Sequence, residues 1–427
     1  MSRQARTYAL HLFLAALTLF TTTLAGAELV TGRPWDAWLG KTETALAHLL
    51  DGLPYSLSFL AFLTFHEFGH YFMAVYYGVR TSLPYYIPVY FPFAPMNIGS
   101  FGAIIRLRSQ PRTNAEYFDV GVAGPLAGFV VSIALLTYGY THLPPAEYLY
   151  NIHPEYRLIN YDSGALPTEA QILERIPPYG PIPFIYRTGD SALTWFFETY
   201  VADPKLLPNH FEIIHYPFIF VGFLTLFFTA LNLLPIGQLD GGHVVYGIFG
   251  RKRANLVSRV TIVLLVLYGG TGFILNQDFD IDLTPRGISN GVYYAVVTFI
   301  GIKLFGGFTR GIIFASVMVM VQWALILVFP KAEPSPVWVF YAFIGTFLIR
   351  PDHPPAEYER PLDAKRKAVG VLALLIFILS FTPRPISLED TLVQQKINRA
   401  KLEKARPAPN PRLKPIPYDD SPMRLEE

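Results

Sequence analysis

Long apolar segments recur along this 427-residue chain, and they restrict its fold more than any other feature. A run of about 20 apolar residues is long enough for a helix to cross the hydrocarbon core of a bilayer. Such a helix satisfies its backbone hydrogen bonds internally, as the membrane interior demands. Only 15% of the residues are charged, against about 25% in soluble proteins. We therefore predict an all-α polytopic membrane protein.

About nine transmembrane helices are expected from these segments. The first follows Arg3 and Arg6 and precedes the residues "AGA", so a cleaved signal peptide is an alternative to a retained span. Its apolar length favours the retained span. The predicted spans are 8–25, 52–77, 117–140, 213–249, 256–275, 290–307, 311–330, 336–350 and 367–382.

Basic residues between the spans predict the orientation, because Lys and Arg are enriched in cytoplasmic loops. They place the N-terminus in the cytoplasm and the C-terminal tail outside, although the tail is itself rich in Lys and Arg. No basic run is typical of a nucleic-acid-binding face. The clusters used are Arg3 with Arg6, the four arginines of 80–112, residues 251–253 and residues 365–367.

Three polar regions interrupt the spans. Residues 80–116 hold a Pro-rich stretch that cannot be helical, followed by "GSFGAIIRLRS", which predicts a strand and a short membrane-associated β-hairpin. The insert 141–212 contains the loop "PPYGPIP" and a helix in "GDSALTWFFETYV", capped by Asp190 or Ser191. The tail, 383–427, is expected to be peripheral or disordered, with a possible short helix in "LEDTLVQQKINRAKLEKA".

The chain accordingly divides into four predicted regions. Residues 1–51 form the first span and its connection, and 52–250 form a core that contains the insert. Residues 251–382 add further transmembrane helices, and 383–427 form the polar tail.

Within the second span, "HEFGH" places two histidines and a glutamate where hydrocarbon is expected. A charged side chain at the bilayer centre costs about 2 to 4 kcal/mol. On a helix, His66 and His70 are one turn apart and project from one face, so both can bind one zinc ion with Glu67 beside them. The alternative is a pair of hydrogen-bonded core histidines. The membrane setting favours the metal.

A third metal ligand must be Asp, Glu or His, because the chain has no cysteine. Asp240 is the best candidate, since no other acidic residue occurs between Glu212 and Asp278. Pro235 and the nearby glycines interrupt the helix there, as a protein-covered cavity permits. The alternative role for Asp240 is a helix cap at the membrane edge.

These residues resemble the site-2 protease family, the intramembrane zinc metalloproteases of peptidase family M50. The resemblance rests on "HEFGH" at 66–70 and on "NLLPIGQLDG" at 232–241, which fits N-x-x-P-x-x-x-L-D-G. "GVAGPLAG" at 121–128 looks like the small-residue span between them. "GSFGAIIRL" with "DHPP" is similar to the branch of bacterial and chloroplast members that lack a PDZ domain.

The resemblance implies one Zn²⁺ per chain, held by His66, His70 and Asp240, with Glu67 as general base. It implies that Asn232 holds the substrate backbone or the oxyanion, although a hydrogen bond between spans is an alternative. It also implies an integral protein of the bacterial inner membrane. The sequence does not indicate an oligomeric state.

Other residues near these motifs receive weaker roles. Gly99, Ser100, Phe101 and Gly102 could present a strand edge to an unwound substrate, or form an ordinary re-entrant hairpin. His243 is interpreted as a neighbour of the ligands. His353, in a cytoplasmic loop, is given no metal role.

The leading function is hydrolysis of peptide bonds in or near transmembrane segments of membrane proteins, as in regulated intramembrane proteolysis. One alternative is a non-proteolytic chaperone or binding relative of the same fold, which should have lost Glu67 or a ligand. A transporter is a further alternative, but it gives no reason for Glu67 between two histidines.

Overall fold

The computed structural model describes residues 3–34, 42–91, 96–157, 166–175, 184–275, 285–329, 334–390 and 398. Most of these residues are helical. The helices are α1 (Arg3–Thr31), α2 (Thr42–Asp51), α3 (Leu53–Tyr76), α4 (Asn114–Thr141), α5 (Glu147–Ile152), α6 (Glu169–Arg175), α7 (Ala192–Tyr200), α8 (Pro217–Asn232), α9 (Asp240–Leu275), α10 (Pro285–Phe305), α11 (Phe308–Val328), α12 (Val337–Ile344) and α13 (Ala364–Ser380). The strands are β1 (Tyr85–Pro88), β2 (Ser100–Ile104), β3 (Phe184–Thr188) and β4 (Ile386–Asp390).

The described helices confirm the predicted all-α membrane fold. Within the described ranges, five are long and apolar enough to cross a membrane, and three shorter apolar helices accompany them. The predicted count of nine spans stays a prediction. The five are Gln4–Thr31, Ala45–Tyr76, Asn114–Thr141, Asp240–Ile274 and Phe308–Val328, and the three are Pro217–Asn232, Ser289–Phe305 and Val337–Ile349.

The predicted span 213–249 differs from the structure, because two helices replace it. Helix α8 ends at Asn232, and α9 begins at Asp240. Pro235 and the positive φ of Gly237 (49°) stop regular helix between them. The amide of Gly237 donates instead to the Ser258 hydroxyl, at 3.1 Å. This turn brings the start of α9 back against the end of α8.

Helices α3 and α4 pack closely because glycines line their contact. A Cβ on Gly69 would lie 2.5 Å from the carbonyl oxygen of Ala123, and one on Gly128 would lie 2.7 Å from the Phe62 ring. Small residues let membrane helices approach in this way. Helix α4 runs on through Pro125. The predicted small-residue span is therefore the surface against which the "HEFGH" helix lies.

The predicted hairpin is formed by β1 and β2, which pair antiparallel, with an irregularity between Tyr86 and Pro88. Side chains of the neighbouring helices hold it. The Tyr86 hydroxyl lies 2.7 Å from that of Thr64 on α3, and the Thr21 hydroxyl on α1 donates to the Gly99 carbonyl at 2.7 Å. Gly99 has a φ of 85°, which favours glycine at this bend.

The predicted helix of the insert is α7. Ser191 caps it by accepting from the Thr194 amide, while the Thr194 hydroxyl accepts from the Ser191 amide. The loop "PPYGPIP", at 177–183, lies outside the described residues. A short helix was predicted in the C-terminal tail, but its first residues, Leu388–Asp390, belong to β4, which pairs with β3. The other residues of that predicted helix, apart from residue 398, lie outside the described residues.

The chain forms two compact units, and the division into four regions stays a prediction. The first unit comprises 1–167 and 186–387, and its core is rich in aromatic side chains such as Tyr55, Phe59 and Phe220. The second comprises 168–185 and 388–427. Within it, the Asn398 side chain donates to the carbonyls of Leu173 and Glu174.

Candidate active site

The two histidines of "HEFGH" lie on one face of α3, as their spacing predicts. Their Nε2 atoms are 3.2 Å apart, and both residues are buried, with 5% of His66 and 8% of His70 exposed. The helix therefore presents two ring nitrogens to the same point.

Asp240 reaches that point from the first residue of α9. Its Oδ2 lies 3.5 Å from Nε2 of His66 and 3.4 Å from Nε2 of His70. The turn after α8 makes this possible, since Gly241 packs so closely that a Cβ there would overlap the Leu233 carbonyl. Asp240 occupies a helix start, where an acidic residue is also favourable. The cap and ligand interpretations are therefore compatible.

The donor atoms fit a divalent metal ion. Nδ1 of His70 lies 2.7 Å from the Val120 carbonyl oxygen, so it carries the proton, and Nε2 presents a lone pair. This lone pair faces Nε2 of His66 and the Asp240 carboxylate, and a cation removes the repulsion among them. Two imidazoles and a carboxylate are a donor set typical of catalytic zinc. Nδ1 of His66 is buried without a hydrogen bond among the described residues.

Gly124 of the small-residue span is fitted to this site. A Cβ at this position would overlap Nε2 of His70. Gly124 of "GVAGPLAG" therefore leaves the space that the His70 ring occupies.

Glu67 is buried beside these candidate ligands, with 7% of the residue exposed. Its Oε2 accepts a hydrogen bond from the Ile105 amide at 2.8 Å. Ile105 directly follows β2, so the hairpin fixes this carboxylate through its backbone. The sequence did not predict this contact, since the two residues are 38 positions apart.

The predicted substrate-binding residues lie in two places. Asn232 ends α8, and its Nδ2 lies 3.3 Å from Nε2 of His66, which brings it to the metal donors. Gly99 to Gly102 lie on the hairpin. The Ser100 hydroxyl bonds within the hairpin, accepting from the Gly102 amide and donating to the Ile87 carbonyl. Phe101 is 72% exposed.

His243 and His353 form a contact that the sequence did not indicate. Nδ1 of His243 lies 2.7 Å from Nε2 of His353, and Nδ1 of His353 lies 2.6 Å from the Pro354 carbonyl oxygen. Burial lowers the pKa of His353 to about 4, so the ring is neutral at pH 7. His353 thus packs on the start of α9, against a residue three positions after Asp240. The loop motif "DHPP" does not indicate this partner.

Two histidines, an aspartate and an adjacent glutamate, set among apolar helices, form a candidate metal centre of the H-E-x-x-H class. The model of peptidase family M50 matches residues 54–268, about half of the chain. The chain belongs to this family, as the resemblance to site-2 proteases implied.

Several curated proteins are similar to this chain. "Probable zinc metalloprotease EGY2, chloroplastic" of Oryza sativa subsp. indica is 28% identical over 249 residues, which cover 58% of this chain and 38% of that protein. "Probable zinc metalloprotease EGY1, chloroplastic" of Arabidopsis thaliana is 28% identical over 215 residues, 50% of this chain and 33% of that protein. The chain thus spans between a third and two fifths of these relatives. No solved structure matches it.

Proposed function

We propose that this chain is a zinc metalloendopeptidase that cleaves membrane proteins in or near their transmembrane segments, as regulated intramembrane proteolysis requires. The observation that carries the proposal is the buried Glu67 carboxylate beside the donors of His66, His70 and Asp240, among apolar helices. A non-proteolytic relative would be expected to lack one of these four residues. The names of the similar proteins, zinc metalloproteases, support the same chemistry.

His66, His70 and Asp240 would hold the zinc ion. When bound, zinc acts as a Lewis acid that activates water and polarises a carbonyl group. Glu67 takes a proton from the attacking water and then delivers it to the leaving amine. The Ile105 amide keeps the Glu67 carboxylate in one orientation, which suits proton transfer at a fixed position.

Asn232 would position the scissile carbonyl. Its amide nitrogen is within 3.3 Å of a ligand nitrogen, so the donor group is close to where the reaction occurs. An amide can donate to the oxygen that develops negative charge.

The hairpin would receive the unwound substrate. A transmembrane helix uses its backbone groups internally and has to unwind before attack. Strand β2 pairs with β1 on one edge in the two-stranded sheet of the described residues, so its other edge can pair with an extended peptide. This edge is formed by Ser100, Phe101 and Gly102, with Gly99 just before the strand. Ile105, which directly follows the strand, contacts the general base Glu67.

The site would open toward the cytoplasm of a bacterial inner membrane, with the N-terminus on the same side and transmembrane substrates entering from the bilayer. Contacts between the basic loops support this orientation. Arg366 binds the Asp119 carboxylate near the start of α4, at 2.7 Å, and the Asn114 side chain donates to the Gly247 carbonyl just before residues 251–253. Three of the basic clusters therefore share one end of the helices, as the positive-inside rule expects.

Replacing Glu67 by Gln tests the proposal. The protein is purified in detergent, reconstituted and given a single-span model substrate. Glu67→Gln keeps the side-chain shape and cannot accept the proton, so cleavage should fall by about two to four orders of magnitude. Zinc content should not change, since the three ligands remain.

Glu116→Gln is the matched control, because Glu116 lies at the start of α4 and accepts only from the Arg112 amide in the described contacts. It should cleave like the wild type. Near-normal cleavage by Glu67→Gln would reject Glu67 as the base. A wild-type protein that binds zinc and cleaves no transmembrane substrate would instead favour the non-proteolytic relative.

A further inference from the structure

A second group of metal donors lies at the opposite end of α8 from Asn232. His153 follows α5, and Glu212 and His215 lie in the turn that leads into α8. Oε2 of Glu212 is 3.4 Å from Nε2 of His153 and 3.5 Å from Nε2 of His215, and the two Nε2 atoms are 3.3 Å apart. Three donor atoms thus converge here, as those of His66, His70 and Asp240 do at the other end of α8. We call that group the membrane site.

The outer nitrogens of both rings are already engaged. Nδ1 of His215 lies 2.7 Å from the Leu29 carbonyl oxygen, and Nδ1 of His153 lies 2.9 Å from Oε1 of Glu155. A nitrogen facing an oxygen acceptor carries the proton, so both Nε2 atoms present lone pairs toward each other. This arrangement of the outer hydrogen bonds is the usual one for histidines that bind metals.

The carboxylate is oriented in the same way. Oε1 of Glu212 accepts from the Tyr156 hydroxyl at 2.6 Å, which leaves Oε2 to face the rings. This atom is buried without a hydrogen bond in the described part of the chain, and only 3% of Glu212 is exposed. A buried carboxylate oxygen without a partner is costly unless a cation compensates it.

A proton alone satisfies this group poorly. One proton can bridge only two of the three atoms, and a second would place two imidazolium rings with their nitrogens 3.3 Å apart. A divalent ion contacts all three donors at once.

We propose that His153, Glu212 and His215 bind a second divalent transition-metal ion, with zinc the ion that best suits two imidazoles and a carboxylate. This ion would raise the metal content above the one zinc that the membrane site implies. It would join segments that are distant in sequence. The carbonyl of His215 also accepts from the Tyr148 hydroxyl at 2.5 Å, and its ring contacts the end of α1. The ion would therefore link the insert to the C-terminal end of α1 and to the N-terminal end of α8.

Zinc stoichiometry of the full-length protein tests the proposal. His70→Ala removes a ligand of the membrane site, so the zinc that remains after equilibration and gel filtration reports the second site. We expect about two zinc ions in the wild type, about one in His70→Ala and about none in His70→Ala with Glu212→Gln. Gln keeps the bond to Tyr156 and donates to the histidine lone pairs, so it should preserve the fold without metal.

His153→Ala is the second variant, because His153 is the most exposed of the three, with 28% of its side chain accessible. In the His70→Ala background it should weaken zinc binding at least about 100-fold, since losing even an outer hydrogen-bond partner costs about 10- to 100-fold. His142→Ala is the control. His142 is exposed at the end of α4, where its Nδ1 lies 3.1 Å from the Tyr138 carbonyl oxygen, and its loss should leave the zinc content unchanged.

Two results would overturn the proposal. Folded His70→Ala that binds no zinc would show that protons alone satisfy the group. Equal zinc content with and without Glu212→Gln would show that any second ion binds elsewhere.

Discussion

The two ends of helix α8 hold groups of donors with the same spacing and different surroundings. At the Asn232 end, the two histidine nitrogens are 3.2 Å apart and the aspartate oxygen is 3.4 and 3.5 Å from them. At the Pro217 end, the corresponding distances are 3.3, 3.4 and 3.5 Å. The helix has 16 residues, so it separates the two groups by about 24 Å along its axis.

What differs is the neighbouring structure. The membrane group has the Glu67 carboxylate beside it, and a strand whose backbone fixes that carboxylate and can pair with a peptide. The insert group has a tyrosine on its carboxylate, and it ties together segments of the insert and the helix ends. Donor geometry therefore indicates metal binding at both ends, while the adjacent base and strand indicate catalysis at only one of them.

The largest expected effect is that of Asp240→Asn. Losing the carboxylate ligand should remove zinc from the membrane site and reduce cleavage at least as much as losing the general base, about two to four orders of magnitude. Zinc content and cleavage of a single-span substrate are measured together. His142→Ala, which alters an exposed histidine at the end of α4, serves as the control for both. A variant that loses zinc and still cleaves would show that the reaction does not need this metal. The membrane group would then not be the catalytic one of the two.

Gly124→Ala should have the next largest effect. The added methyl group would overlap Nε2 of His70, so the ring has to move. A displacement of about 1 Å at a catalytic group can cost about 100-fold in rate. Gly139→Ala is the matched change further along α4, where the methyl group would meet Ile219 and Phe218 and no donor residue. If both variants lose activity equally, the effect arises from helix packing rather than from the ligand.

The structure brings together the residues that the sequence assigned to the membrane group, for a physical reason. His66 and His70 are one helical turn apart, so local periodicity alone brings them together. Asp240 was found because an unpaired carboxylate is costly among apolar residues, and Asn232 followed from the family motif.

The other contacts depend on pairing between distant segments, which no local pattern reveals. Ile105 meets Glu67 only because the hairpin folds back on α3, and His353 meets His243 across 110 positions. His153 and His215 are separated by 62 positions. In the predicted span 213–249, Pro235 and the glycines indicate a break in the helix, but the contact of Gly237 with Ser258 in the turn between α8 and α9 is again one between distant positions.

Tyr156→Phe should sharpen the comparison at the insert end. It removes the hydrogen bond that orients Glu212 and leaves all three donors in place. Zinc affinity of the insert group should fall by about 10- to 100-fold, as is usual for such outer partners. The measurement is zinc titration in the His70→Ala background. An unchanged affinity would mean that Glu212 needs no orientation by Tyr156, and a complete loss of fold would be visible by gel filtration.

Cysteine labelling should have the smallest effect on function and decides which end faces the cytoplasm. The chain has no cysteine, so a single introduced thiol is unambiguous. Gln110, beside the basic residues that precede α4, and Lys205, in the insert, are both exposed. Because the arginines of 80–112 are expected inside, Gln110→Cys should react with an impermeant reagent only after the membrane is opened, and Lys205→Cys should react from outside. Labelling of Gln110→Cys from outside would reverse the orientation, and it would place the insert group, with its metal, in the cytoplasm. Since each thiol lies outside the two donor groups, either result leaves the zinc content unchanged and bears on orientation alone.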